Sequence, residues 1–304
     1  MKSPIIQKAL QQALPRACFP RLLPRLARVS GRLLGGLLCL GICLGACMGL
    51  TAANASAKGI VTTLPPLTGL VLLLDAEADV HCLLPPGADA HEFQLTPRQV
   101  QMLKQADLLI RSSYDDGHWS GIGSHRRSFD LWPTQAHAWL SPNAVRDKLP
   151  ALAAELQALA PERRAQIAAA LTRALQACDA ADADWRKALA PYREAGAIMQ
   201  HNAWAAVLQH YGVPVWSVLE SGHHGDAIGP HRLEQALGLL QAHSGALLWG
   251  NRRHASRALQ WLQEHAGNGA WPRLLLFDPL GECGMTWPQL MQRNLDTLRQ
   301  AGGS

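Results

Sequence analysis

Residues 161–189, PERRAQIAAALTRALQACDAADADWRKAL, are rich in Ala, Leu, Gln and Arg, with apolar positions at helical spacing. A helix over this run extends about 40 Å at ~1.5 Å per residue, enough to span two lobes side by side. The same texture begins at Pro142, and Pro150 and Pro161 are expected to divide it. On either side the texture changes to short apolar runs alternating with helical patterns. Before it, Gly59–Leu64 and Asp79–Leu84 read as strands, and Pro65–Leu74 as the start of a helix. Thr96-Pro97 opens a second helix, with Thr as N-cap and Pro at the first position, and Asp107–Ile110 is a third strand. Residues 111–135 are polar and read as a long exposed loop.

After the long helix the alternation resumes. Strands are expected at Gly196–Gln200, Pro214–Leu219, Ala246–Trp249 and Arg273–Phe277, with helices between them and a last helix from Trp287. Strands separated by helical stretches imply parallel sheets. The expected fold is therefore α/β, with two lobes, each a parallel sheet flanked by helices, joined by one long rigid helix. The expected divisions are an N-terminal lobe over 58–142, a helical segment over 143–190 and a C-terminal lobe over 191–304.

Residues 1–57 hold seven cations and no acid, and residues 33–50 (LLGGLLCLGICLGACMGL) are almost wholly apolar. A basic stretch, a greasy stretch and Ala55-Ser56-Ala57 together read as a secretory signal cleaved after Ala57. A transmembrane anchor is the alternative, since the apolar run nearly reaches spanning length. Leu44-Gly45-Ala46-Cys47 also resembles a lipobox, which would leave a lipid on Cys47 and tether the body to a membrane. The body is thus expected outside the cytoplasm. Removing the leader's seven cations from the chain's 28 leaves 21 Lys+Arg against 23 Asp+Glu, so the net charge of +5 belongs to the leader. A nucleic-acid-binding body needs a positive field, which this one lacks. Four of the seven cysteines lie in the leader; the body keeps Cys82, Cys178 and Cys283, an odd set expected to be mostly buried thiols.

Most of the thirteen histidines need no special role. His118, His125, His210, His243, His254 and His265 fall in polar loops or on helix faces. Four other positions stand out. His91 lies in the loop after the strand at 79–84, and His137 precedes Trp139-Leu140-Ser141-Pro142. His201 follows Ala197-Ile198-Met199, and Asp278 follows Leu274-Leu275-Leu276-Phe277. Ligands of open α/β sheets collect at the carboxyl ends of strands. Three imidazoles and a carboxylate form a tetrahedral zinc set, whereas manganese favours more oxygen. Read alone, Asp278-Pro279 is equally a turn-initiating Asp.

The flanks carry a resemblance. Pro85-Pro86-Gly87-Ala88-Asp89-Ala90-His91-Glu92-Phe93 resembles the P-x-G-x-x-x-H-x-aromatic loop of the metal-specific solute-binding proteins of bacterial ABC importers. His137-Ala138-Trp139-Leu140-Ser141-Pro142 is similar to the second-ligand motif of that family, and His201 with Trp204 and Tyr211-Gly212-Val213 to the third. Gly229-Pro230-His231-Arg232-Leu233 resembles a family helix start, and Phe277-Asp278-Pro279-Leu280-Gly281 the fourth-ligand segment. The resemblance spans about residues 59–300. It implies a monomeric periplasmic or lipid-tethered receptor that clamps a metal between two lobes through His91, His137, His201 and Asp278. The metal would pass to an ABC permease in the inner membrane. His at the third position resembles the zinc branch, so Zn²⁺ is the implied ligand.

Several departures accompany the resemblance. The loop at 111–136 holds only His118 and His125, so no long metal-scavenging loop is expected. Asp115 and Asp116 fall near where some relatives carry an acid that approaches the metal. Leu248-Trp249-Gly250-Asn251-Arg252-Arg253 replaces a segment usual in the second lobe, and His223-His224 is an unexpected pair with a solvated or auxiliary role. Cys283 has no evident partner. Two rival readings stay open: a zinc hydrolase using His91, His137 and His201 with Asp278 or a nearby acid as base, and a stand-alone periplasmic zinc chaperone or store. No H-E-x-x-H, G-x-S-x-G elbow or phosphate-cradling glycine loop supports the hydrolase.

Overall fold

A computed structural model of the chain describes residues 59–220, 228–254, 256–266 and 273–302. The leader, Cys47 and the His223-His224 pair lie outside the described residues. The first lobe begins with β1 (Ile60–Thr62), buried on both faces, which runs into α1 (Pro65–Leu74). Two prolines fit the first turn of α1 because N–H groups there have no helical partner. Nearly every side chain of α1 is buried, as its all-round apolar sequence requires. β2 (Val80–Cys82), α2 (Pro97–Gln105), β3 (Leu108–Ser113) and β4 (Ser128–Trp132) complete the lobe. Thr96 caps α2 in a reciprocal box with Gln99.

The second lobe contains β5 (Ala197–Met199), α5 (Ala205–His210), β6 (Val215–Val218), α6 (Pro230–Ala242), β7 (Leu247–Asn251), α7 (Arg257–His265) and β8 (Leu274–Phe277). Both sheets are entirely parallel. Their orders, β2-β1-β3-β4 and β6-β5-β7-β8, are the same permutation. In each, the chain reverses its winding between the first and third strands, so a crevice opens at their carboxyl ends. β1/β3 and β5/β7 are therefore the switch points of the two sheets.

Between the lobes lie two antiparallel helices, α3 (Pro142–Leu159) and α4 (Arg164–Leu189), packed along each other. α4 has 26 residues, ~39 Å at 1.5 Å per residue. It packs on α1 and on the final helix, α8 (Trp287–Gly302), which itself returns to touch α1 and β8. α4 is thus the one long helix that joins the lobes, with α3 packed along it.

Two expectations are corrected here. Pro161 does end the first helix, but Pro150 lies inside α3. The missing hydrogen bond is tolerated because Leu149, Leu152, Ala153 and Leu156 around it are buried and held. The stretch at 111–135 is not one exposed loop: β3 extends to Ser113, β4 follows, and Trp119, Ile122, Leu131 and Trp132 are buried. Its polar residues, such as Asp130 paired with Arg111, neutralise one another beside the sheet.

The surplus of tryptophan has a structural use. Trp185 of α4 stacks on Trp204, and Trp249 stacks on Phe277 at 3.6 Å between centroids. Indoles also serve as long-reach donors. Trp139 Nε1 donates to the Pro279 carbonyl at 2.7 Å, and Trp287 Nε1 donates to the Trp139 carbonyl at 2.6 Å, tying the end of the first lobe to the β8–α8 connection. Trp139→Phe leaves the Pro279 acceptor buried without this donor, and the expected cost is about 1–3 kcal/mol of stability, read by urea unfolding.

Candidate metal centre

Three loops bring histidines to one point. His91 sits in the loop after β2, where its N–H donates to Asp89 Oδ1 at 2.8 Å and Trp119 Nε1 donates to the neighbouring Ala90 carbonyl at 2.8 Å. His137 follows β4 in left-handed backbone, φ 51° and ψ 27°. Few non-glycine residues adopt this region, and here Asp115 helps to hold it by accepting the His137 N–H at 3.0 Å. His201 follows β5 directly. Gln200, just before it, is buried and links three strand ends: its Nε2 donates to Glu220 Oε1 and the His254 carbonyl, and its Oε1 accepts the Asn251 N–H.

The imidazoles of His91, His137 and His201 have centroids 5.2–6.2 Å apart. One ring nitrogen from each lies within 4.8 Å of the others, and all three residues are partly buried. Nitrogens on one tetrahedral zinc are roughly 3.4 Å apart, from bonds of about 2.0–2.1 Å. The space they line is about 30 Å³, close to the volume of one water molecule and far below the roughly 300 Å³ at which organic-ligand pockets begin.

Asp278 is placed differently. It is buried, and its Oδ1 accepts from Arg253 Nε at 3.1 Å, Gly281 N at 2.9 Å and Leu280 N at 3.2 Å; Oδ2 lies 3.5 Å from Arg293 Nη1. It does not join the three imidazoles at the 4.8 Å spacing. Burial works to raise its pKa, but the Arg253 hydrogen bond, the Gly281 N–H and the Arg253 charge together hold it below the ordinary carboxylate value. Arg253 also donates through Nη2 to the Gly281 carbonyl and lines the cavity. The sequence marked residues 248–253 as unusual without indicating that Arg253 grips the fourth expected ligand.

Asp115 and Asp116 separate in role. Asp116 accepts from Thr63 Oγ1 and from the Ser112 and Ser113 N–H groups, fastening the ends of β1 and β3. Asp115 lines the cavity, with Oδ1 3.8 Å from His137 Nδ1 and Oδ2 accepting from Ser112 Oγ at 2.6 Å. Burial raises both pKa values. His254, which the sequence marked as ordinary, also lines the cavity beside Asn251. Only its place after a buried strand of the second sheet could have signalled this.

The model for the zinc-uptake complex component A, the periplasmic ZnuA family, matches residues 60–301. The chain belongs to the ZnuA family. Members of this family are metal-binding solute receptors rather than enzymes, and they work with ABC permeases. A Thermotoga maritima protein, named for the metal binding ascribed to it, is 26% identical over 261 residues, covering 80% of this chain and 92% of its own. The periplasmic zinc-binding protein TroA of Treponema pallidum superposes with a TM-score of 0.69 at 17% identity, over 81% of this chain and 99% of TroA. The Pseudomonas aeruginosa receptor FpvC, in complex with Mn²⁺, superposes with a TM-score of 0.66 at 19% identity, over 82% and 100%. These two structures share the two-lobed fold with the present ZnuA-family chain.

Removing the Asp115 carboxylate frees the strained His137 backbone. Asp115→Ala is expected to weaken metal binding about 10–100-fold while leaving one site per chain, as measured by calorimetric titration.

Proposed function

We propose that this chain is an extracytoplasmic zinc receptor of an ABC importer, which captures Zn²⁺ between its lobes and delivers it to a permease in the inner membrane. The observation that carries the reading is the meeting of three imidazoles, two from the first lobe and one from the second, around a space sized for one ion. A guest that bridges the lobes favours their closed arrangement, and its release requires them to part. Imidazole donors suit zinc better than manganese. The small cavity also favours carriage of a bare ion over hydrolysis of an organic substrate.

His91, His137 and His201 are the proposed ligands, with Asp278 as the fourth. Arg253 and the metal are then two cations competing for one carboxylate. An ion bound at Asp278 would have to displace the Arg253 guanidinium from its Oδ1. Four protein ligands leave no position for an activated water. A basic leader and the family's periplasmic members support export of the body. Capture by a dedicated permease distinguishes this role from that of a stand-alone chaperone or store.

Metal analysis after exposure to equimolar Zn²⁺ and Mn²⁺ is expected to find one zinc per chain and little manganese. His201→Ala should lose that zinc while keeping its fold by circular dichroism. Equal uptake of the two metals would sink the zinc assignment, and zinc retained by His201→Ala would sink the site.

Asp278→Asn should weaken zinc binding, and Arg253→Ala should tighten it by removing the competing cation; unchanged affinity in both excludes Asp278 as a ligand. Protons compete with the ion for all three imidazoles, so affinity should fall as the solution is acidified. A pH titration of competitive zinc binding checks the sign.

A further inference from the structure

The first lobe places Cys82 at the end of edge strand β2, paired in register with Thr62 of β1. The second lobe sends Cys283 across in the connection between β8 and α8. Although 201 positions separate the two cysteines in sequence, both Sγ atoms lie on the same carbonyl oxygen, that of Leu84, at 3.4 Å and 3.7 Å. The two thiols are also close enough to shift each other's ionisation. Cys283, which showed no partner in the sequence, therefore has one in space. The expectation of mostly buried thiols also changes: Cys178 is buried, Cys82 is partly buried and Cys283 is exposed.

The surroundings suit bond formation. Gly281 and Gly284 flank Cys283 with φ of 66° and 96°, and a side chain at Gly284 would meet nothing, so the connection has room to adjust around the thiol. The neighbouring Cys82, the backbone N–H of Cys283 itself and the Arg253 charge together hold the Cys283 thiol below its ordinary pKa against burial, whereas Cys283 and burial push the Cys82 thiol upward. The exposed thiol is thus the nucleophile and the sheltered one the resolving partner.

We propose that Cys82 and Cys283 form a reversible disulfide that staples the first lobe to the β8–α8 connection of the second. A small-molecule disulfide is the oxidant. The Cys283 thiolate attacks one of its sulfurs, an S–S bond forms, and the first small thiolate leaves. Cys82 then gives up its proton and attacks Cys283 Sγ, expelling the second small thiolate. Two protein thiols become one disulfide, the two electrons reduce the oxidant, and the two protons end on its thiols. An extracytoplasmic compartment is where such a bond persists. Because it closes a loop of about two hundred residues, the bond restricts the unfolded chain strongly.

The test uses the full chain treated with glutathione disulfide or with dithiothreitol, then alkylated, digested and mapped by mass spectrometry. The expected result is a peptide pair joined through Cys82 and Cys283 in the oxidised sample only. The urea midpoint of the oxidised protein should also rise relative to the reduced one, with no such rise in Cys283→Ser. Separate alkylation of the two cysteines, separate glutathione adducts or pairing of either with another cysteine would overturn the proposal. A Cys82–Cys283 cross-link that leaves the midpoint unmoved would overturn the staple. Neither readout depends on metal, so the outcome is independent of the zinc assignment.

Discussion

An open parallel sheet exposes the carboxyl ends of its strands along one edge, and that edge alone can present side chains to a small ion. This chain meets the constraint by setting two such edges against each other. Each has the same strand permutation and its own crevice, and His91 and His137 come from one edge while His201 comes from the other. The site exists only while the two sheets keep their mutual placement. The long α4, the returning α8 and the indole hydrogen bonds of Trp139 and Trp287 maintain it.

Local strain and buried charge concentrate at the same place. His137 adopts left-handed backbone, and the buried Asp115 that accepts its N–H lies beside the imidazoles. Asp116, one residue on, is spent on fastening strand ends, and Gln200 does the same in the second lobe. These buried polar groups cost desolvation, which their hydrogen bonds offset. The return is rigidity in the loops that carry the histidines. Arg253 adds a different effect, because its guanidinium on Asp278 neutralises a buried carboxylate.

Several features of the fold were legible in the residues. The strands of the second lobe are short apolar runs because parallel strands are covered on both faces. The motif flanks pointed to His91, His137 and His201, whose imidazoles the structure brings near one another. β4 was not legible, since Ser128–Trp132 is brief, includes Asp130 and follows a polar stretch. The continuity of α3 through Pro150 was hidden as well, because local propensity opposes it and packing against α4 overrides it. The gathering of Asp115 and His254 at the cavity depended on loop paths that no periodicity encodes.

By itself the sequence determined the alternation of strand and helix, the length of the connecting helix and the residue types able to bind an ion. These follow from hydrophobic period and side-chain chemistry, which are local properties. Tertiary structure decided which of those residues meet. It brought three imidazoles within one ion's reach, gave Asp278 to Arg253, and set Cys82 beside Cys283 across most of the chain's length. Such encounters depend on how two separately formed sheets pack, and packing is a sum over distant surfaces that no local stretch of residues contains.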